Sequence, residues 1–406
     1  MRPQPSAPDR EKPAEPPRTR PSGSGSPRLR GLAALIALLQ AAWPSIASVT
    51  VALVAGFVAI AVARGSLQTA LDAYLQMLWG GLGDLPRFFQ GASSAVLTRP
   101  WGEAATKASL LMLTGLSVAV AFSVGLFNIG AQGQLIVGAV AAAVVGAAPG
   151  VPAPLRALLC LLAAALAGGL YGYLPGLLRV RRGVHEVIST IMLNWVAVSL
   201  VEGWLVVGPL AAKSVGESSR AGTSDILQSA HLPRLLGDAS RLNLGFPLAL
   251  VVAVGLWLWL HRTWHGFECR AVGLGPEAAR TSGIRVERRI CEVMALSGAL
   301  AGLAGAVLVQ GTEFKYPATI AVGYGFDGIA IALIGLAHPL GVAVSALFFG
   351  VLRAGGTGMQ LFGVHKSFPE LIQGVALLLV AGKLFWERLA ARAARRRGGA
   401  LREVER

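Results

Sequence analysis

The stretch ASLLMLTGLSVAVAFSVGLFNIGAQGQLIVGAVAAAVVGAA, residues 108–148, decides the fold class. It holds two apolar runs, 108–126 and 134–148, separated by a short segment rich in Gly and side-chain amides. A helix needs roughly 20 apolar residues to cross a bilayer core of about 30 Å. The stretch therefore predicts two membrane helices joined by an interruption.

Apolar runs of the same kind recur on both sides of this stretch. Hydrophobic residues make up 54% of the 406 positions and charged residues only 14%, whereas a soluble domain carries about 25% charged residues. The sequence predicts an all-α polytopic membrane protein with about ten transmembrane helices, and eight as the lower bound. The predicted spans are 46–63, 108–126, 134–148, 156–178, 187–207, 245–261, 290–310, 323–337, 340–353 and 370–386.

The net charge of +15 would by itself suggest a nucleic-acid partner, but the positive charge is clustered. Residues 1–30, 179–182, 262–289 and 383–406 hold 24 of the 36 Lys and Arg residues. Ten spans that start from a cytoplasmic N-terminus place all four segments on one side, which is the distribution expected of cytoplasmic loops. We therefore expect a multi-pass protein of the bacterial cytoplasmic membrane, with both termini inside, a lipid bilayer as its surroundings and no nucleic-acid partner.

The composition also predicts the domain limits. Residues 1–30 are rich in Pro, Ser and Arg and predict a disordered cytoplasmic tail. Residues 31–386 form the transmembrane domain, and 387–406 form a basic cytoplasmic tail. The two long external segments, 64–107 and 208–244, mix charges with Pro, Gly and Trp, which is typical of solvent-exposed loops.

The interruption in the opening stretch is the first candidate site. Gly125 to Gln134 places Asn128, Gln132 and Gln134 at membrane depth among three glycines. A broken helix exposes backbone groups that hydrocarbon cannot satisfy, so it must lie inside protein or beside water. Neutral amides there are able to donate and accept hydrogen bonds without the cost of a buried charge. The alternative is a short polar turn between two helices.

Two further polar segments belong to the predicted path. In Glu186-Val-Ile-Ser-Thr-Ile-Met-Leu-Asn194, Asn194 is the best candidate to line a path or bridge helices, since the Ser and Thr side chains can bond back to the backbone. After the span at 290–310, Tyr324 and Phe326 are placed to stack on a flat ring and Asp327 to accept hydrogen bonds. The alternative for this last segment is a structural re-entrant turn.

Small residues predict where helices cross closely. Gly168 and Gly172 lie four residues apart in one span, and Gly298 and Gly302 lie four apart in another. Such spacing lets helix backbones approach each other. General richness in Gly, with 51 in the chain, is the alternative explanation.

The loop 262–289 carries Glu277-Ala278-Ala279-Arg280-Thr281-Ser282-Gly283. A short helix here would end at Gly283, a suitable C-terminal cap. The chain holds no G-x-x-x-x-G-K-[ST] motif, so it shows no phosphate-binding loop of its own. The three cysteines have no paired or metal-ligand spacing, and no metal site or catalytic set is expected.

Three of these segments together resemble the permease family of ATP-binding-cassette importers for nucleosides and simple sugars. They are Gly125 to Gln134, Glu186 to Asn194, and the loop at 277–283, and the resemblance extends from about Gly102 to Trp386. In that family the E-A-A-x-x-x-G loop docks into the ATPase subunit, which implies coupling roles for Glu277, Ala278, Ala279 and Gly283. Gln132 departs from the Glu often found at that position, which leaves the charge preference open.

The resemblance implies the rest of the machinery. It implies a second, homologous permease in a heterodimer, an ABC ATPase subunit that binds ATP and Mg²⁺, and an external substrate-binding lipoprotein. No cofactor is expected in this chain. We expect a non-catalytic permease subunit for nucleosides, with simple sugars as the alternative substrate. An ion-coupled secondary transporter is the alternative class, and it would need a chain of buried ionisable groups.

Overall fold

The computed structural model describes residues 27–212, 222–237, 240–317 and 323–382, with side chains described from residue 43 onward. The predicted tail 387–406 lies outside this range, as does the tail 1–30 apart from its last four residues, which are helical. Met1–Trp43 and Pro44–Arg406 are separate units, and the contacts below concern the second. The helices are α1 (Pro27–Arg64), α2 (Leu67–Leu82), α3 (Leu85–Phe89), α4 (Ala95–Phe122), α5 (Ala131–Ala147), α6 (Ala153–Arg182), α7 (Glu186–Ala197), α8 (Gly245–Arg262), α9 (Trp264–Leu274), α10 (Pro276–Thr281), α11 (Val286–Leu308), α12 (Tyr324–Ile334), α13 (Pro339–Gly355) and α14 (Phe368–Ala381).

The ten predicted spans each coincide with an apolar helix, which confirms the all-α membrane fold. In the described residues, six helices are long and apolar enough to cross a membrane, and four more are apolar but shorter. The shorter ones are α5, α12, α13 and α14. Two spans end in π-helical turns, with Val198–Leu205 continuing α7 and Val309–Glu313 continuing α11.

The interior is built around α4 and α11. Their apolar stretches are 89% and 72% buried within the chain, against 28% for α6 and for α8. Leu158, Leu162, Leu166 and Leu170 project from α6 with about half or more of their surface exposed. Lipid tails are as apolar as leucine, so these side chains are favourable at the outer face of a membrane helix bundle.

The close crossing predicted from small residues lies between α6 and α11. A Cβ added to Gly172 would lie 2.6 Å from the Met294 carbonyl oxygen and 2.8 Å from Gly298 Cα. A Cβ on Gly302 would similarly lie 3.2 Å from Gly168 Cα. The two backbones are therefore in direct contact, and any side chain at these positions would push the helices apart.

The prediction of an exposed loop at 64–107 is wrong, because most of this segment is helical. It forms α2, α3 and the first part of α4. Ala70, Ala73 and Met77 are buried on one face of α2, at helical spacing. That face packs against α13, where Gly80 would meet Gly355 at 2.8 Å if it carried a Cβ. Polar residues at positions 68, 69, 72 and 76 interrupt the apolar residues of α2, so the sequence shows no continuous apolar run there.

The described parts of the second external segment, 208–212, 222–237 and 240–244, are mostly irregular, as predicted, but 222–237 is hydrogen-bonded to the helix bundle. Three of its backbone N–H groups donate to the chain that follows α11: Thr223 to Tyr316 O at 2.9 Å, Ile226 to Phe314 O at 2.8 Å and Leu232 to Gln310 O at 3.0 Å. Ile226 and Leu232 are buried. This segment therefore covers the ends of α11 and α5, since the Leu227 N–H also donates to the Gly146 carbonyl of α5 at 3.0 Å.

Candidate functional site

The interruption between α4 and α5 is a buried turn. The chain leaves α4 at Phe122, passes Gly125 with a φ of +74° and enters α5 at Ala131. The left-handed backbone at Gly125 favours glycine, because a Cβ would clash with the following carbonyl. Asn128 then closes the turn by accepting a hydrogen bond from Gly130 N–H at 2.8 Å. The sequence thus ends one helix and starts another at membrane depth.

Asn128 and Gln134 bind each other and α11. The Asn128 Nδ2 donates to Gln134 Oε1 at 2.9 Å and to Ser297 Oγ at 2.7 Å. Ser297 in turn donates to the Ser117 carbonyl at 2.6 Å, which connects the turn to α4. Both amides are at most 1% exposed. In this conformation they brace the interruption, as the polar-turn interpretation expects.

Asn194 caps α5 from a neighbouring helix. Its Oδ1 accepts from Gly133 N–H at 2.8 Å, and its Nδ2 donates to the Ile129 carbonyl at 2.9 Å. Gly133 is the third residue of α5, whose N–H has no partner within the helix. The side chain of α7 therefore bridges helices, which is one of the two roles that the sequence predicts for it.

Gln132 connects the two interrupted segments of the chain. Its Oε1 accepts from Gly325 N–H, in the first turn of α12, at 2.8 Å. Its Nε2 is buried and has no hydrogen-bond partner. The N-terminal ends of α5 and α12 therefore meet within the membrane domain. Half-helix N-termini that meet near the membrane midplane are a common setting for substrate sites in transporters.

A charged cluster lies beside the first turn of α12. Arg353 Nη2 is 2.6 Å from Asp327 Oδ2 and 3.3 Å from Glu370 Oε1. Gln373 Nε2 donates to Asp327 Oδ1 at 3.1 Å. The Arg353 guanidinium also lies 5.5 Å from the centre of the Tyr324 ring, within the range of a cation–π interaction.

The structure brings six of the seven predicted path residues into this region. Asn128, Gln132, Gln134 and Asn194 surround the start of α5, and Tyr324 and Asp327 belong to the first turn of α12. Phe326 belongs to that turn as well, but it is 41% exposed and has no described contact with the others.

Sequence reasoning missed three residues of the charged cluster. Arg353, Glu370 and Gln373 fall at the ends of predicted spans, where a polar residue normally marks the membrane boundary. Their position along the chain could have indicated that they lie near Asp327. All three lie on the outer half of the predicted topology, the half that also holds Asp327.

Glu202, near the outer end of the predicted span 187–207, is buried. It lies in the π-helical turn after α7 and accepts a hydrogen bond from the Tyr316 hydroxyl at 3.1 Å. A cavity of about 550 Å³ lies nearby, between the end of α5 and the segments at 209–212 and 223–224. None of the predicted path residues lines it.

The predicted coupling loop forms α10 and ends as expected at Gly283. The Ile284 N–H donates to the Ala279 carbonyl at 3.0 Å and the Gly283 N–H to that of Arg280 at 3.0 Å, with a φ of +85° at Gly283. These two bonds are the Schellman cap. The Glu277 carboxylate is exposed, whereas Ala279 is buried and anchors the helix.

Arg280 organises the charges of the coupling loop. Its guanidinium donates to Glu287 at 2.6 Å and to Glu277 at 2.8 Å. The hydrogen bond to Glu287, and to a smaller extent the one to Glu277, raises the pKa of Arg280 above its usual value. The loop is therefore a fixed, charged surface at the end of the bundle.

The coupling loop is in backbone contact with the interruption. A Cβ added to Gly273, at the end of α9, would lie 3.1 Å from the Ser123 carbonyl carbon and 3.2 Å from Gly125 N, and closer still to the Ser123 oxygen. The loop and the turn between α4 and α5 therefore touch without intervening side chains. Within the described residues, no group of three His, Cys, Asp or Glu side chains is placed to hold a metal.

Comparison with known proteins identifies the family of this chain. Residues 102–381 match the family described as branched-chain amino acid transport system / permease component. The chain belongs to this permease family. It is 40% identical to the guanosine ABC transporter permease protein NupP of Bacillus subtilis over 69% of this chain and 80% of that protein. No solved structure matches the chain.

Two other relatives are similar over comparable lengths. The glucose ABC transporter permease protein TsgB13 of Haloferax volcanii is 34% identical over 72% of this chain and 79% of its own length. The nucleoside ABC transporter permease protein NupB of Lactococcus lactis subsp. cremoris is 32% identical over 71% of this chain and 81% of its own. The chain is thus an ABC transporter permease component and a multi-pass membrane protein.

Proposed function

We propose that this chain forms the translocation path of an ATP-driven importer for nucleosides. The observation that carries the proposal is the 40% identity to a guanosine permease, which spans 80% of that relative. A simple-sugar importer is the second candidate, favoured by the 34% identity to a glucose permease. Both readings share a separate ATPase that binds ATP and Mg²⁺, a second permease in a heterodimer and an external substrate-binding lipoprotein.

The proposed path follows the N-terminal ends of α5 and α12, in a cytoplasmic membrane with both termini inside. It is lined by Asn128, Gln132, Gln134, Asn194, Tyr324, Phe326 and Asp327. Their polar atoms hold the interruption together in the present conformation. Rearrangement of the helices would exchange these bonds for bonds to a polar solute, at little net cost because each broken bond is replaced.

The proposed coupling surface is α10 with its cap, through Glu277, Ala278, Ala279 and Gly283. ATPase closure would press on α10, and the contact of Gly273 with Ser123 and Gly125 would carry the displacement to the turn between α4 and α5. Backbone contacts have no side-chain rotamers to absorb a shift, which supports this route.

The experiment is uptake of radiolabelled nucleoside into vesicles that hold the complete importer and are supplied with ATP. Gly273→Ala should lower the nucleoside imported per ATP hydrolysed by more than tenfold, because its Cβ would displace the interruption. Gly275→Ala is the control, since the nearest atom to its Cβ is 3.8 Å away.

Two results would count against these proposals. Concentrative uptake by this chain without an ATPase would reject the importer assignment. Equal coupling in the Gly273 and Gly275 variants would reject the transmission contact alone.

A further inference from the structure

Beside α12 lies a buried donor and acceptor pair that the proposed path does not use. Arg353 and Gln373 bind the two oxygens of the Asp327 carboxylate, through Nη2 at 2.6 Å and Nε2 at 3.1 Å. Three atoms of this cluster are buried without a hydrogen-bond partner: Arg353 Nε, Gln373 Oε1 and Asp327 Oδ2, whose contact with Arg353 is an ion pair. Gln373 is only 3% exposed.

An unpaired buried polar atom costs about 1 to 3 kcal/mol, so most are paired in folded proteins. Arg353 Nε and Gln373 Oε1 belong to side chains that both contact the Asp327 carboxylate through another atom, which limits the movement of each side chain. Such a pair is preorganised, because a ligand that bonds to both atoms need not first order either side chain. The cluster therefore has the properties of a hydrogen-bonding site rather than of a complete structural network.

The charges of the cluster select against a charged ligand. Arg353 is already paired with Asp327 and Glu370. Lys107, whose Nζ donates to the Arg353 carbonyl at 3.0 Å, brings the set to two cations and two anions. A phosphate would compete with two carboxylates for Arg353, whereas a neutral polar group would add no charge to a desolvated site.

We propose that Arg353 Nε and Gln373 Oε1 bind the lactam edge of a neutral heterocycle during passage through the membrane domain. In such an edge a ring N–H lies next to a C=O, so the N–H donates to Gln373 and the carbonyl accepts from Arg353. Hypoxanthine and guanine rings carry this edge, and adenine does not. Arg353 and Gln373 thus determine which nucleosides pass, an inference that rests on the proposed function.

The test compares inosine with adenosine in the complete importer, with the same external binding protein throughout. Gln373→Met removes the acceptor, together with the Nε2 bond to Asp327, at similar volume. Arg353→Lys keeps the charge beside Asp327 and removes the Nε–H donor. Gln373→Met should lower the ratio of inosine to adenosine uptake about 3- to 10-fold, the effect of one neutral hydrogen bond, and Arg353→Lys should lower it by about 10-fold or more, because its donor is charged. Gln360→Met, at an exposed position in the short turn Gly358–Phe362, is the matched control and should leave the ratio unchanged.

The outcomes separate this inference from the function on which it rests. If the unaltered importer takes up neither nucleoside, the nucleoside assignment fails. If it takes up both and the two variants keep the original ratio, or lose both substrates equally while the ATPase activity of the complex persists, the site is structural and the inference is overturned. If only Gln373→Met fails to assemble, Arg353→Lys decides.

Discussion

The crossing of α6 and α11 offers the sharpest test of the packing, through Gly172→Ala. The added Cβ would lie 2.6 Å from the Met294 carbonyl oxygen and 2.8 Å from Gly298 Cα, whereas carbon atoms in contact are about 3.5 to 4.0 Å apart. The neighbours are backbone atoms of a facing helix, so no rotamer change relieves the clash. The helices must separate by roughly an ångström along a contact that continues to Gly168 and Gly302.

Overpacking of this kind costs about 1 to 3 kcal/mol. Because the atoms around Gly172 are backbone atoms, we expect a cost at the upper end of this range. The better helix propensity of alanine offsets at most about 1 kcal/mol of it. We therefore expect Gly172→Ala to lower the free energy of unfolding by about 2 kcal/mol. Gly255→Ala in α8 is the control, because no atom lies within 4 Å of its added Cβ, and it should be neutral or slightly stabilising.

The three cysteines provide the assay. Cys160, Cys269 and Cys291 are free and buried, and the first and last lie on the two crossing helices. A fluorogenic thiol reagent should react with them only on unfolding, so heating the detergent-solubilised complex reports the transition of each variant. If Gly172→Ala and Gly255→Ala unfold at the same temperature, the close backbone contact is not a determinant of stability.

Two other predictions concern caps and can be measured by the same cysteine assay. Asn194→Ala leaves the Gly133 N–H and the Ile129 carbonyl without their side-chain partner, and we expect a loss of about 2 kcal/mol, which an unchanged unfolding temperature would contradict. Gly283→Ala forces a Cβ into a left-handed conformation, with a φ of +85°, at a cost of about 1 kcal/mol. Because α10 is a surface helix, we expect this variant to lower ATPase binding, measured by co-purification, more than global stability; the reverse order would contradict the coupling role.

Local features of the fold could be predicted because they need only neighbouring residues. The ten apolar helices, the interruption at Gly125 to Gln134 and the cap at Gly283 each follow from a short stretch of chain. The helix α2 was missed because Gln68, Thr69, Asp72 and Gln76 interrupt its apolar residues, so the segment contains no continuous apolar run.

The partners within the candidate site could not be predicted. The contacts of Asn128 with Ser297, of Gln132 with Gly325 and of Gln373 with Asp327 join residues 46 to 193 positions apart. Each of these polar side chains has several possible partners in an apolar bundle. Packing of the helices, and not the local sequence, selects among them.

The sequence by itself determined that the chain crosses a membrane many times, where the ten apolar spans lie, and which loop carries the coupling signature. Those features depend on the length and polarity of short segments, because long apolar segments enter the bilayer and polar segments remain in water. Only the tertiary structure decided which helices occupy the centre and which amides and charges meet there. Lipid and the protein interior are similarly apolar, so hydrophobicity does not determine which helices lie in the interior of the bundle. Their arrangement is determined instead by close contacts of small residues and by polar groups that need a hydrogen-bond partner.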